Sequence, residues 1–207
     1  DATIRWVGNE NGFAPYPLWD AESMADARSG TSTSLLGDPD GDAWIPVECD
    51  VSIRRPNWFW STKNEHNLMT QDQLLEVYYR SVVCGAQLLL NIPADTRGHR
   101  PEAVGARALE FGGEIKRGFG KSVAETAGTG ARIELRWPKS TRIDHVILEE
   151  DCRYGQRVRG FRLEGRAGVE WTALYTGSSI GHKRIVPIAA GGYSALRLVV
   201  TESAVEA

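Results

Sequence analysis

Residues 70–92 read TQDQLLEVYYRSVVCGAQLLLNI, and this stretch decides the fold. Thr70 is suited to cap a helix, and Gln73 three residues on completes a capping box. Leu74, Leu75, Val77, Tyr78 and Val82 recur at helical period, which predicts an amphipathic helix through Val83, stopped by Gly85. Gln87-Leu88-Leu89-Leu90-Asn91-Ile92 then runs on without alternation, as in a strand covered on both faces. A helix leading into such a strand is part of a parallel β/α unit.

Working towards the N-terminus, Trp44–Ile53 predicts a second strand, and the alternating β-branched Thr3–Val7 a short first one. Irregular segments follow both: the turn Gly8-Asn9-Glu10-Asn11-Gly12 after the first, and Arg54–Asn67 after the second. Residues 13–44 are rich in loop signals, with Pro15, Pro17 and Asp38-Pro39-Asp40-Gly41-Asp42, and so long an irregular stretch is usually functional or disordered. Towards the C-terminus, Pro93–Pro101 is a loop, and Pro101 sits in the first turn of a helix reaching Glu110 or Lys116. Residues 1–117 are therefore expected to be the closing part of a (β/α) barrel with its working loops after its strands. A whole barrel needs about 250 residues.

The pattern changes after Gly118. Residues 118–130 read as a linker, and beyond it the hydrophobic period becomes two. Arg132–Trp137, Ile143–Leu148, Val158–Gly165, Glu170–Tyr175, Lys183–Ile188 and Ala195–Thr201 are candidate strands, predicting an antiparallel β-sandwich over 131–207. The expected fold class is thus α/β plus all-β.

Composition narrows the function. The 207 residues allow one or two domains, and 42% hydrophobic with 25% charged residues excludes a disordered tail, a collagen-like fibre and a coiled coil. A net charge of −3, without a Lys/Arg cluster among aromatics, argues against a nucleic-acid partner. No apolar run reaches the ~18 residues of a membrane span. Seven Trp, six Tyr and five Phe suit a core or a surface for flat apolar ligands such as sugar rings. Cys49, Cys84 and Cys152 match no zinc or disulfide pattern and read as buried small hydrophobes, or as one bridge plus a spare thiol. His66, His99, His145 and His182 lack metal-ligand spacing, Asp38–Asp42 resembles a calcium loop without its distal Glu, and no cofactor or metal is expected. The chain opens strand-like, without Met or signal peptide, and reads as the interior of a longer polypeptide.

Glu10, on a Gly-rich turn after a strand, can reach into a pocket and protonate a leaving oxygen, unless it is a solvated turn residue. Arg5 and Trp6 point to opposite faces of their strand, and Arg5 serves either sugar hydroxyls or a structural ion pair. Glu48 and Asp50 share one face; they form an acid/base pair or, preferably, hydrogen-bonded support. Trp58-Phe59-Trp60 in a loop lines a sugar subsite or plugs the scaffold.

Arg5–Gly12, Glu48–Arg54 with Trp58–Trp60, Tyr78-Tyr79-Arg80-Ser81 and Leu88-Leu89-Leu90-Asn91-Ile92-Pro93 together resemble glycoside hydrolase family 29, the α-L-fucosidases, in order and spacing. Val7-Gly8-Asn9-Glu10 resembles the subfamily preferring α-1,3/1,4 linkages on branched glycans. Arg157–Phe161 and Ile180–Ile185 resemble the galactose-binding-like, discoidin-type sandwich that follows the barrel in many members. The resemblance implies a retaining hydrolase of terminal fucose on fucosylated oligosaccharides or glycoconjugates, often exported, in which an aspartate attacks the anomeric carbon and a glutamate serves as acid and then base. It implies Glu10 as acid/base with Glu48 in reserve, Arg5 contacting fucose, Trp58 against the C6 methyl and Trp60 as a second candidate for that wall. Such an acid needs a pKa raised towards neutrality by burial and by the nucleophile's charge. The family's nucleophile and fucose-gripping histidines lie upstream, and Asp1 is too near Glu10 to be the nucleophile. The expectation is that an N-terminal segment completes the barrel, without which the chain is inactive and its strands have exposed edges. Two other readings concern the sandwich: a carbohydrate-binding module, or a buttress with an apolar inter-domain face. The buttress is preferred because only Trp137 and Trp171 are available for stacking and both sit in or beside strands.

Overall fold

The computed structural model describes residues 4–25 and 35–204; Asp1, Thr3 and part of the 13–44 loop lie outside them. The N-terminal region is built on a three-stranded parallel sheet of order β1–β4–β5, formed by Arg5–Trp6 (β1), Val47–Ser52 (β4) and Gln87–Asn91 (β5). Between β1 and β4, Ala21–Glu22 (β2) and Ala43–Trp44 (β3) form a small antiparallel pair. The expected Trp44–Ile53 strand is therefore two. Pro46 has no N–H for a ladder. Its carbonyl instead accepts the Arg5 N–H at 2.8 Å, setting β4 alongside β1.

One face of this sheet is packed. Val7, Leu18, Val47, Cys49 and Ala86 form a buried cluster. Ile53, Leu74 and Val104 form another, joined by Leu68, Met69, Leu90 and Phe111, so that the helices Gln71–Tyr79 (α1) and Glu102–Phe119 (α2) lie against the strands. α1 opens with the anticipated capping box, Thr70 and Gln73 exchanging side-chain and backbone bonds. It closes earlier than its period suggests. The Ser81 hydroxyl donates to the Val77 carbonyl at 2.7 Å, competing with helix propagation. Val82–Cys84 then form a single 3-10 turn, and Gly85 at φ +97° stops it.

The other face is largely uncovered. β5 is an edge strand with Leu89 43% exposed, so the expectation of cover on both sides is not met within the described residues. On the central β4 the apolar residues of the packed face, Val47, Cys49 and Val51, are all buried. α2 begins after Pro101 as expected but runs on to Phe119, taking the first part of the supposed linker.

Beyond residue 131 the chain forms one antiparallel sheet of order β6–β9–β7–β8. Four strands replace the expected six: Arg132–Leu148 (β6), Val158–Arg166 (β7), Thr172–Gly177 (β8) and Arg184–Ser203 (β9). In the structure Pro138 falls within the register shift between Arg136 and Thr141, while Gly191 and Gly192 pair with Ile143 and Arg142 beside a second shift, between Ile143 and His145, so the β6–β9 ribbon passes through both as irregularities. The far ends of the ribbon return over the sheet: Leu148 and Val186 share a buried cluster with Phe161, Leu163 and Ile180. Trp137, Ile143, Tyr193 and Leu196 pack in a second cluster.

The two regions meet through hydrogen bonds and ring contacts, where an apolar face is expected of a buttress. The Gln156 amide accepts from the Asp20 N–H and donates to the Leu18 carbonyl. Ser179 Oγ accepts from the Leu18 N–H at 3.2 Å, and Tyr16 Oη accepts from the Ser178 N–H at 2.8 Å. Arg184, 7% exposed, lies over the Tyr16 ring at 4.0 Å and donates to Tyr175 Oη. Arg159 donates to the Pro39 carbonyl and to Asp40.

His182 Nδ1 stands 3.2 Å from Asp20 Oδ2 at this junction. That hydrogen bond, with the charges of Asp20 and Glu149, raises the imidazole pKa above its ordinary 6.5 against the opposing effects of burial and Lys183. A pKa raised by folding gives stability that is present below the unfolded value and lost as pH rises through the folded one. His182→Asn should therefore lower unfolding free energy more below pH 6.5 than above the folded-state pKa, as urea titrations across that range would read.

Candidate active site

Parallel pairing puts the loops after β1, β4 and β5 at one edge of the sheet, where α/β proteins keep their ligands. The first loop carries Glu10. Asn9 shapes it, accepting the Asn11 N–H through Oδ1 and donating to the Phe13 carbonyl at 3.1 Å. Gly12 anchors its end at φ +74°, so close to the sheet that an added Cβ would stand 2.8 Å from Val77 Cγ1 and 3.0 Å from Val51 Cγ1. Only glycine suits both demands.

The second loop meets the first at Glu10. Trp58 Nε1 donates to Glu10 Oε2 at 2.8 Å, joining two residues singled out from the sequence. The Trp58 carbonyl accepts from Asn91 Nδ2 at 2.8 Å at the end of β5. A chain of contacts thus joins the end of β5 to both other loops, from Asn91 through Trp58 to Glu10. Beneath it, buried Arg54 donates to the Asn64 carbonyl, Ser52 Oγ donates to the Asn57 carbonyl at 2.6 Å, and Asn64 Nδ2 donates to the Phe59 carbonyl. Trp60 is partly buried, with its indole N–H enclosed and unpartnered. Phe59 stands out at 84% exposure.

Arg5 lies apart from this group. It alternates with Val7 on the packed face and is 8% exposed. Its guanidinium donates to the Trp19 carbonyl at 2.6 Å and the Leu35 carbonyl at 3.0 Å, with Glu22 at 3.4 Å. This is the structural ion pair weighed against a sugar-binding role. Burial lowers its pKa, while Glu22 and Asp20 oppose that shift.

Trp6 holds the open face instead, 50% exposed, and its indole donates to Asp50 Oδ1 at 2.7 Å. Glu48 pairs in register with Trp6 and Gln87 on that same face. Trp6 and Asn91 were not among the expected site residues. The alternation of β1 held the signal for Trp6; Asn91, read as part of an apolar run, offered none.

Elsewhere, Asp38 and Asp42 of the calcium-like loop accept backbone N–H groups, and Asp40 pairs with Arg159. The cysteines are free thiols, and burial pushes those of Cys49 and Cys152 up to about 12. Trp171 lies under the Arg197 guanidinium at 4.1 Å, while Trp137 belongs to a hydrophobic cluster. No helix among the described residues is long and apolar enough to cross a membrane.

A parallel sheet with a loop-borne carboxylate at its edge, followed by an antiparallel sheet, is similar to the C-terminal region of the α-L-fucosidases of glycoside hydrolase family 29. Among particular relatives, α-L-fucosidase 1 of Arabidopsis thaliana is 29% identical over 223 residues, covering 88% of this chain and 43% of the plant protein. A solved candidate α-L-fucosidase from Bacteroides thetaiotaomicron is 31% identical with a TM-score of 0.87, covering 98% of this chain and 48% of that one. A family 29 fucosidase of Ruminococcus gnavus, solved with fucose, is 28% identical with a TM-score of 0.84, covering 97% and 48%. The chain thus spans less than half the length of these relatives. No family model matches it.

Removing the Asn91 amide tests the tether across the loops. Asn91→Ala should cost about 1–3 kcal/mol in urea unfolding by leaving the Trp58 carbonyl without its partner. It should also alter indole fluorescence as the Trp58 ring loosens.

Proposed function

We propose that this chain is the C-terminal portion of a retaining α-L-fucosidase acting on terminal α-1,3/1,4-linked L-fucose, with Glu10 as its acid/base. The hydrogen bond from Trp58 to Glu10 carries the reading, because it fixes a carboxyl group beside an aromatic wall at the loop edge of the sheet. The likeness to family 29 fucosidases supports the substrate class, and Val7-Gly8-Asn9-Glu10 supports the linkage preference.

In this reading a nucleophilic aspartate attacks the anomeric carbon while Glu10 gives its proton to the departing glycosidic oxygen. The glycosidic C–O bond breaks and an ester to the aspartate forms. Glu10, now a carboxylate, takes a proton from water, whose oxygen attacks the anomeric carbon as the ester bond breaks, returning the aspartate carboxylate and releasing fucose. Trp58 orients Glu10 and, with Trp60, supplies the apolar wall for the C6 methyl. Arg5 acts as a positioning residue, bracing β1 against the loop that follows. Glu48 is the reserve donor.

The aspartate belongs to a preceding segment that completes a (β/α) barrel. The short span of the chain against its relatives supports this, as do the open face and the outer strands β1 and β5. The antiparallel sheet of β6 to β9 is a discoidin-type buttress. Its loops 149–157 and 178–183 are engaged with residues 16–20, Arg159 of β7 pairs with Asp40, and Trp171 is covered by Arg197, which supports bracing over glycan capture.

In the completed enzyme, Glu10→Gln should cut kcat/KM on a fucosylated oligosaccharide by about 100-fold or more. It should cost much less on a fucoside whose leaving group needs no protonation. Equal losses on both substrates would move the role to Glu48. The 207-residue chain alone should release no fucose from an aryl α-L-fucoside.

A further inference from the structure

Phe59 is the most exposed large aromatic residue at the loop edge, at 84%, yet its loop is firmly built. Asn64 holds its carbonyl at 2.9 Å, Asn91 holds the preceding one at 2.8 Å, and Asn67 Nδ2 donates to Asn57 Oδ1 at 2.7 Å. Ser61 caps the turn at Thr62–Asn67 through a capping box. Neighbouring Trp58 and Trp60 are partly buried, so within this triplet Phe59 is the ring most fully presented to solvent. A ring on a braced backbone has only two side-chain torsions to order when something stacks on it.

Position gives that ring a partner. Trp58, the residue before Phe59, donates to the Glu10 carboxyl. A proton donor must come within hydrogen-bond reach of the oxygen that joins the cleaved sugar to its leaving group. The leaving sugar must therefore pass beside Glu10, where the Trp58–Phe59 loop stands. The apolar C–H face of a hexopyranose is complementary to an exposed aromatic ring.

We propose that Phe59 is a specificity residue for the leaving group, stacking on the sugar from which fucose is released. This rests on the functional reading above and goes beyond it, because it concerns recognition of the acceptor side rather than of fucose. Energy from such a contact is expressed in kcat/KM only for substrates that carry the second ring.

The test compares a branched fucosylated oligosaccharide with α-L-fucosyl fluoride, whose leaving group has no ring, in the completed enzyme. Phe59→Ala should lower kcat/KM on the oligosaccharide by about 3- to 10-fold and leave the fluoride unchanged, the scale of one aromatic stacking contact. Phe59→Tyr should restore the oligosaccharide rate, and thermal unfolding should not move. Equal losses on both substrates with lowered stability would overturn the proposal, showing a ring that packs within the protein. Unchanged rates on both would overturn it too. An enzyme that releases fucose from both substrates but ignores Phe59 defeats this inference alone. One that releases fucose from neither defeats the functional reading as well.

Discussion

β4 pairs in parallel with β1 on one side and β5 on the other, and the rest of the N-terminal region depends on this arrangement. Parallel neighbours deliver their following loops to the same edge. Arg5 opposite Val47 and Asp50 opposite Leu89 set the register. From that register follow the packed face, the open face and the place where Glu10, Trp58 and Asn91 converge. A slip of one residue would send Val47, Cys49 and Val51 to the open side and their polar neighbours into the core. Burial of those three apolar side chains is therefore what keeps the loop edge assembled.

Much of this was legible in the sequence. The capping box of α1, the stop at Gly85 and the parallel character of β4 and β5 are local signals that the structure keeps. Glu10 and Trp58 were readable as candidates from residue type and from following strands, yet their contact spans 48 positions and no local pattern encodes it. The apolar run at β5 suggested cover on both faces because three successive leucines carry no alternation. They cannot report which neighbours are within this chain. The period-two segments after residue 131 announced antiparallel strands. Pro138 and Gly191-Gly192 concealed their continuity, since breakers mark a bulge and a strand end alike in one dimension.

The junction between the two regions shows why burial was easier to foresee than docking. Side chains such as Gln156, Ser179 and Tyr16 look like surface residues in a list. Here they satisfy backbone groups of residues 18, 20 and 178 across the boundary, work that apolar side chains cannot do. Arg184 adds a guanidinium laid on the Tyr16 ring, buried but supported by aromatic faces. The antiparallel sheet is thereby oriented as well as attached.

The tether from Asn91 through Trp58 to Glu10 has a thermodynamic corollary. The rotamer freedom surrendered in aiming that carboxyl is lost when the chain folds, before any ligand arrives. In the proposed function the substrate meets a preorganised group and keeps its own association energy for bending and orienting itself.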